Sequence, residues 1–402
     1  MAGVFRAEYE VRHGGVTELD QLNHLFNEAE VCAEEAVEQP INDNLAKPEI
    51  IAQIMTQKFV MGFSLHQQEQ VFNSQGVLLS RETMSNWLLR ATEEHLVPVY
   101  HRLHEELVKR EILHVGVTTL RVLQAADEAP LSESYLWQYR TGGDTDRAIV
   151  LYEHQAEKRV KRLMESMQGL NPELPQEDLK RSYAYLLEQN TRNPEGFLKG
   201  FRGYIHLDDC AGYYNFPNEI TRVGSWADIR ERFENAARQN PKCRSAEWGA
   251  AYCRQLFDLE EQFQNLSPDE RHQKRLEQEV LVVKKLMLWA RTARAFALEP
   301  DLCQILDDVK EQRPYLLNYL KDGRLELCNQ ASASLKSVSD HLQFADTSRG
   351  SAGSTVMFSL IQTAIENGLE PYSYLARLLK TSSTDLQNPD MVEKLLPWNA
   401  IG

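Results

Sequence analysis

The sequence lacks the features that mark several classes of protein. Its six cysteines are scattered and form no Cys-x-x-Cys pair, so zinc is not indicated and the thiols are expected to be free or buried. No apolar run approaches the ~20 residues needed to span a bilayer. The first residues contain no apolar core of a signal peptide, and secretion is therefore not expected.

The sequence also lacks an excess of basic residues. Asp and Glu number 59 against 44 Lys and Arg, which gives a net charge of −15. Binding to phosphate backbones without sequence specificity depends on clustered Lys and Arg. The bulk charge therefore counts against strong autonomous DNA binding, although it leaves room for a local basic groove.

The composition is otherwise that of an ordinary globular protein, with 42% hydrophobic and 26% charged residues among 402. A chain of this length can bury a large core and usually divides into two or three domains. Five runs have strand character, at residues 112–123, 135–140, 148–152, 204–208 and 220–223. The first three are joined by short connections, and we expect them to form an antiparallel meander.

The order of these elements predicts the fold class. Three strands, a helix, a fourth strand, a fifth strand and a further helix follow one another, which is the order of a ribonuclease-H-like core. Residues 226–319 are almost wholly helical and are most simply a helical insertion. We therefore predict a mixed α+β fold of the α/β type. Its expected divisions are 1–45, a helical region 46–110, a first part of the core 111–240, an insertion 241–320 and a last part 321–402.

A pair of short helices is predicted ahead of the sheet. Ser64 and Gln67 have the spacing of a capping box, Gly76 is a suitable C-cap, and Ser80 can cap the next helix. This spacing resembles a helix-turn-helix, although an ordinary helical hairpin packed against the next domain is the alternative. In a helix-turn-helix, the side chains facing the major groove would be Arg81, Ser85 and Asn86.

Several short runs, in their shared order and spacing, resemble the transposases of the insertion-sequence-66 family. The resemblance covers about residues 44–399. The matching runs are residues 65–70, 76–87, 139–143, 197–204, 322–326, 346–350, 363–368, 371–375 and 396–399. The resemblance implies a protein that cuts and joins DNA at the ends of a mobile element, with Mg²⁺ or Mn²⁺ as cofactor.

The resemblance also implies an Asp-Asp-Glu triad, of which this chain keeps one member. The second Asp of the family matches Asp208, but Gly116 stands at the first position. The Glu position falls at Ser332 or Ala333, depending on where a small gap is placed. Hard divalent ions need several oxygen ligands, so weak or absent metal binding is expected at Asp208 alone. We therefore predict that the chain is catalytically impaired.

Two other carboxylates could in principle replace the missing ones. Asp228 is more simply a residue of a first helical turn, where a negative charge favours the helix dipole. Glu326 is shared with the family and is interpreted as structural. At the other end of the chain, residues 1–45 resemble a remnant of the family's zinc-binding segment, with Val11 and Gly14 in place of cysteines.

Three cations are candidates for phosphate contacts, with surface ion pairing as the alternative. They are Lys199, Arg202 and Arg349. The resemblance implies DNA as partner, a possible homo-oligomer, no membrane, and a bacterial cytoplasmic protein that associates with the nucleoid when bound. Two rival interpretations are a non-catalytic DNA-binding or accessory protein that retains the scaffold, and an eroding remnant with no activity.

Overall fold

A computed structural model of the protein describes residues 46–121, 133–156, 196–207, 217–241, 243–338 and 348–400, with only the backbone at some positions next to the gaps. These residues form a mixed α+β structure around one five-stranded sheet. The candidate positions Asp208, Val11 and Gly14 lie outside the described residues, as does the side chain of Arg349.

The sheet combines antiparallel and parallel pairing. Its strands, in chain order, are β1 (Ile112–Arg121), β2 (Glu133–Thr141), β3 (Val150–Ala156), β4 (Gly203–Leu207) and β5 (Ile220–Val223). The spatial order is β3-β2-β1-β4-β5. β1, β2 and β3 form the predicted antiparallel meander, whereas β4 pairs in parallel with both β1 and β5. The five predicted strands are thus confirmed.

Between residue 46 and the sheet, the described chain forms four helices. They are α1 (Pro48–Phe59), α2 (Leu65–Ser74), α3 (Arg81–Ala91) and α4 (Val97–Leu107), with a π-helical turn at Thr92–Leu96 between the last two. The predicted caps are present. Ser64 and Gln67 form the capping box, Gly76 has a φ of +84°, and the Ser80 hydroxyl accepts from the backbone N–H of Thr83. These polar side chains fix the ends of α2 and α3.

Helices α5 to α9 form the long helical stretch after β5. They are α5 (Trp226–Gln239), α6 (Arg244–Phe263), α7 (Pro268–Lys274), α8 (Val280–Phe296) and α9 (Pro300–Leu316), with a π-helical turn at Arg275–Glu279. Their apolar side chains build a core of their own, which we call the insertion core. It reaches the sheet through Ile112 and Val223.

The C-terminal helices return to the sheet. They are α10 (Gln330–Val338), α11 (Ser348–Glu366), α12 (Pro371–Lys380) and α13 (Pro389–Lys394). α11, α12 and α13 share one apolar core with α1, α3, α4 and one face of the sheet. Burial of this large shared apolar surface is the main force that holds the two ends of the described chain together.

Hydroxyl groups of α11 cover the outer edge of β3. Thr363 Oγ1 accepts from the N–H of Val150 at 3.0 Å and donates to its carbonyl oxygen at 2.9 Å. Ser359 Oγ accepts from the N–H of Tyr152 at 2.8 Å. At the opposite edge, the Asn318 side-chain amide donates to the carbonyl oxygen of Arg222 on β5. Both edges of the sheet therefore have partners for backbone groups that would otherwise be left open.

A buried charge cluster joins the insertion core to the segment that leads back to the sheet. The Arg275 guanidinium is fully buried and makes two hydrogen bonds to the Glu260 carboxylate, at 2.6 and 2.8 Å. Glu279 is also fully buried; burial, and next the Glu260 charge, raise its pKa to about 8. The guanidinium also donates to the main-chain oxygens of Tyr319, Asp322 and Leu325.

Candidate functional site

The predicted site lies where β1 and β4 run side by side. In their parallel register His114 pairs with His206, and Val115 pairs with Leu207, the last described residue of β4. The two imidazole rings are fully buried and stacked, with centroids 4.2 Å apart and planes 5° from parallel. Equal register on adjacent parallel strands brings like side chains together, which explains the stacking.

The histidine pair anchors the chain that crosses this part of the sheet. His114 Nδ1 accepts from the backbone N–H of Gln330 at 3.2 Å, and His206 Nε2 accepts from that of Glu326 at 3.4 Å. Burial lowers the pKa of both rings, that of His206 to about 3 and that of His114 well below its usual value. A neutral ring has a free lone pair, so both histidines are suited to accepting these bonds.

Asn329 fixes helix α10 on β1. Its side-chain amide donates to the carbonyl oxygen of Val115 at 2.7 Å and to Ser332 Oγ at 3.0 Å. Its carbonyl oxygen accepts from the backbone N–H of Ala331 at 3.1 Å, at the start of α10. Asn329 is buried, and the sequence signal that could have found it is an Asn just before a helix.

Gly116 lies directly beneath α10. A β-carbon placed on Gly116 would come within 2.8 Å of Leu335 Cδ1 and 3.1 Å of two backbone atoms, the carbonyl carbon of Ala331 and the nitrogen of Ser332. Real β-carbons rarely approach other atoms so closely. A side chain at residue 116 would therefore displace the end of the Leu335 side chain and need the α10 backbone to shift by a few tenths of an ångström.

The residues present here do not suit a pair of divalent ions. Gly116 provides no ligand, and the half-buried Ser332 hydroxyl is hydrogen-bonded to Asn329. Among the described residues, no group of three or more His, Cys, Asp or Glu could hold a metal ion. Asp208, which the resemblance predicts as a metal ligand, is outside that part of the chain.

The two carboxylates weighed as replacements have structural partners. Glu326 accepts from the backbone N–H of Gly143 at 3.2 Å and from the Gln330 side-chain amide at 2.7 Å, and so ties the end of β2 to the start of α10. Asp228 lies in the first turn of α5, where its N–H donates to the capping Ser225 and its carboxylate lies 4.0 Å from Arg232. Neither carboxylate adjoins Gly116 in these contacts.

Comparison with known families decides what kind of chain carries this site. The model described as "Transposase IS66 family" matches residues 43–174 and 175–339, and "IS66 C-terminal element" matches residues 359–398. Together these matches cover well over half of the chain. The chain belongs to the IS66 family of transposases.

Three curated relatives of this IS66-family chain come from Sinorhizobium fredii (strain NBRC 101917 / NGR234). Uncharacterized protein y4hP is 25% identical over 87% of this chain and 62% of its own length. Uncharacterized protein y4qI is 21% identical over 89% and 64%, and uncharacterized protein y4jD is 22% identical over 89% and 67%. The chain thus spans about two thirds of the relatives it matches.

No solved structure matches this chain. Within the described residues, no helix is both long and apolar enough to cross a bilayer.

The polar positions predicted to contact DNA lie at two places in this IS66-family fold. Arg81 and Asn86 are exposed on α3, and Ser85 is half-buried beside them. Lys199 and Arg202 are exposed in the turn that leads into β4. No ion pair joins Arg81, Lys199 or Arg202 to an acidic residue within the described ranges. These three cations are therefore open to an external anion.

Proposed function

We propose that this transposase-like protein of an insertion sequence has a ribonuclease-H-like core that no longer carries out metal-dependent strand cleavage and transfer. The observation that carries the proposal is the contact between α10 and Gly116. Here Leu335 and the α10 backbone lie close against Gly116, so a side chain at this position would displace them. Restoring one carboxylate would therefore also require α10 to move.

The strand order supports the ribonuclease-H-like part of the proposal. An antiparallel meander β3-β2-β1 continues into β4 and β5, both parallel to β1. The family's first and second carboxylate positions then fall on β1, at Gly116, and directly after β4, at Asp208. Carboxylates at such neighbouring strand ends are what a two-ion phosphoryl-transfer site needs.

We propose that the protein still binds DNA although it has lost strand cleavage and transfer. Helices α2 and α3 are short, capped at their starts and joined by a turn at Gly76, as in a helix-turn-helix. Arg81 and Asn86 are exposed near the start of α3, where a recognition helix meets base edges. Lys199 and Arg202, with Arg349, would add phosphate contacts. The alternative function is that of a non-catalytic accessory protein. In that case the same DNA-binding surface would assist the transposition of another, active element.

The remaining parts of the proposal follow from family membership. They are action at the element ends, assembly as a homo-oligomer, and a cytoplasmic location with association to the nucleoid when DNA is bound. Mg²⁺ or Mn²⁺ is the cofactor that an active member would use.

A strand-transfer assay tests the loss of activity. Purified full-length protein is incubated with labelled element-end DNA, a target duplex, and Mg²⁺ or Mn²⁺. We expect no joined product from the unaltered chain and none from Gly116→Asp/Ser332→Glu, because α10 still covers the site. Metal-dependent joining by the unaltered chain would contradict the proposal. Calorimetric metal titration of both proteins provides a second measurement that does not depend on turnover.

A gel-shift assay with a salt titration tests DNA binding. Arg81→Ala/Asn86→Ala should weaken binding to element ends by roughly 10- to 100-fold, the usual cost of losing base contacts. The matched control is Arg90→Ala on the same helix, because Arg90 already pairs with Glu94 at 2.8 Å. If the unaltered chain shows no binding even at low salt, the DNA-binding proposal fails and the inactive-remnant interpretation is favoured.

A further inference from the structure

An apolar face of helix α8 is exposed and carries only positive charges. The exposed fractions are 56% for Leu281, 60% for Leu288 and 80% for Phe296. At 100° per residue these three side chains fall on one side of the helix, opposite the buried Val283, Leu286 and Ala290. We call this side the α8 outer face. Large apolar side chains grouped in this way on a surface usually mark an interaction site.

Cations flank the apolar residues of the α8 outer face. Lys284 and Arg291 lie along one side of the leucines and Lys285 along the other, and all three are exposed. Residues 280–298 contain no Asp or Glu, although the chain as a whole has a net charge of −15. The fourth cation of this stretch, Arg294, points elsewhere and pairs with Asp307 at 2.8 Å. None of the first three pairs with an acid among the described residues.

The chemistry of the face limits what can cover it. A second copy of the same face would set lysine and arginine against lysine and arginine, which is unfavourable. A DNA duplex would neutralise the cations but would leave Leu281 and Leu288 against phosphates or water. A segment with an apolar stripe and acidic flanks satisfies both parts of the face.

Residues 17–38 of this chain have that composition. They contain seven Asp and Glu and no Lys or Arg. Leu25, Val31, Cys32 and Val37 are apolar as well, but six other apolar residues alternate three and four positions apart, the spacing of a single helix face. These residues are Leu19, Leu22, Phe26, Ala29, Ala33 and Ala36. The 22-residue stretch is long enough to follow the 17 residues of α8 from end to end.

We propose that residues 17–38 dock on the α8 outer face, with their apolar stripe against Leu281 and Leu288 and their acids against Lys284, Lys285 and Arg291. This contact is independent of strand transfer and of DNA binding by α3. It gives the acidic N-terminal stretch a binding role within the protein.

Photo-cross-linking in the full-length protein tests the contact. A benzophenone amino acid is placed at Leu288, and the joined peptides are identified by mass spectrometry after irradiation. The matched control carries the same probe at Gln255, an exposed residue of α6. We expect cross-links from position 288 to residues 17–38 and none to that segment from position 255. Cross-links from 288 to other segments only, or to an added DNA duplex instead, would overturn the proposal.

Charge exchange, measured with the same probe at Leu288, gives a second test. Lys284→Glu/Arg291→Glu should lower the cross-link yield from position 288 about five- to tenfold, since two attractions become repulsions. Adding Glu30→Lys/Glu34→Lys to that variant should restore most of the yield. Thermal melting of each variant checks that it is folded. A yield that is unchanged by the first exchange, or not restored by the second, would show that these charges do not face one another.

Discussion

Two buried regions of this protein differ in whether they contain charged side chains. At the sheet, Gly116 and Ser332 are the residues at which the resemblance predicts carboxylates, and helix α10 packs against Gly116. In the insertion core, the Glu260 carboxylate pairs with the buried Arg275, which also binds three main-chain oxygens. Buried charge is costly unless it is paired and hydrogen-bonded. The insertion core thus keeps a paired buried charge that holds the fold together, whereas Gly116 and Ser332 carry no charge at the sheet.

The largest effect is expected when the buried charge cluster of the insertion core loses its cation, Arg275. Arg275→Met leaves Glu260 without its partner and three main-chain oxygens unbonded, so the free energy of unfolding should fall by about 3–5 kcal/mol. Urea denaturation followed by tryptophan fluorescence measures it. The control is Arg254→Met, because Arg254 is 43% exposed and pairs with the exposed Glu247; its expected cost is below about 1 kcal/mol. Equal losses in both variants would remove the distinction between buried and surface pairs.

The buried Glu279 should make the stability of the protein depend on pH in a specific way. Its pKa is about 8 in the folded protein and lower when unfolded, so the folded state binds more protons between pH ~5 and ~8. Its contribution to stability is therefore lost as the pH rises through that window. Glu279→Gln, measured at each pH, should gain on the order of 2–3 kcal/mol relative to the unaltered chain by pH 8. A difference between the two proteins that does not change with pH would contradict this prediction.

A carboxylate introduced at Gly116 should destabilise the folded protein. Gly116→Asp forces Leu335 and the α10 backbone outward, and we expect the free energy of unfolding to fall by about 2 kcal/mol. Gly196→Asp is the matched control, since a β-carbon there meets nothing within 4 Å. Adding Leu335→Ala should recover part of the loss if the contact with Leu335 is its cause. Full tolerance of Gly116→Asp would mean that the position is still open.

The stacked histidines should show the opposite pH dependence, with the smallest effect. The folded pKa of His206 is about 3, below the ~6.5 of an unfolded histidine, so its stabilising contribution is present above pH ~6.5 and is lost as the pH falls. Between pH 6.5 and 5 the unaltered chain should lose about 1–2 kcal/mol more than His206→Phe. Parallel pH curves for the two proteins would show that the ring already takes up a proton in the folded state.

Local features of this fold could be predicted from sequence, whereas distant contacts could not. The capping box at Ser64 and the cap at Ser80 depend on neighbours three residues away, and both are confirmed. The five strands follow from local β-type runs and short turns. The contact of Gly116 with Ser332 joins residues more than two hundred positions apart, and a glycine in a strand does not indicate what lies over it.

The same limit applies to the anchoring side chains. Arg275 looks like an ordinary polar residue of a helical stretch, and Asn329 looks like a cap at the start of a helix. Only the folded chain shows the distant carbonyl groups to which they donate. The role of Asp208 stays a prediction, as do the domain boundaries. Asp228 and Glu326 were interpreted as structural residues, and each does have a local structural partner.

The hydroxyl groups that cover β3 are synthesised much later than the strand itself. Val150 and its partner Thr363 are 213 residues apart, so the edge of β3 leaves the ribosome long before α11 exists. At ~5–20 residues per second, that edge stays uncovered for about 10 to 40 s in each new molecule. During this interval another nascent chain could add a strand to the sheet. The yield of folded protein should therefore depend on how fast the ribosome delivers the 213 residues between Val150 and Thr363.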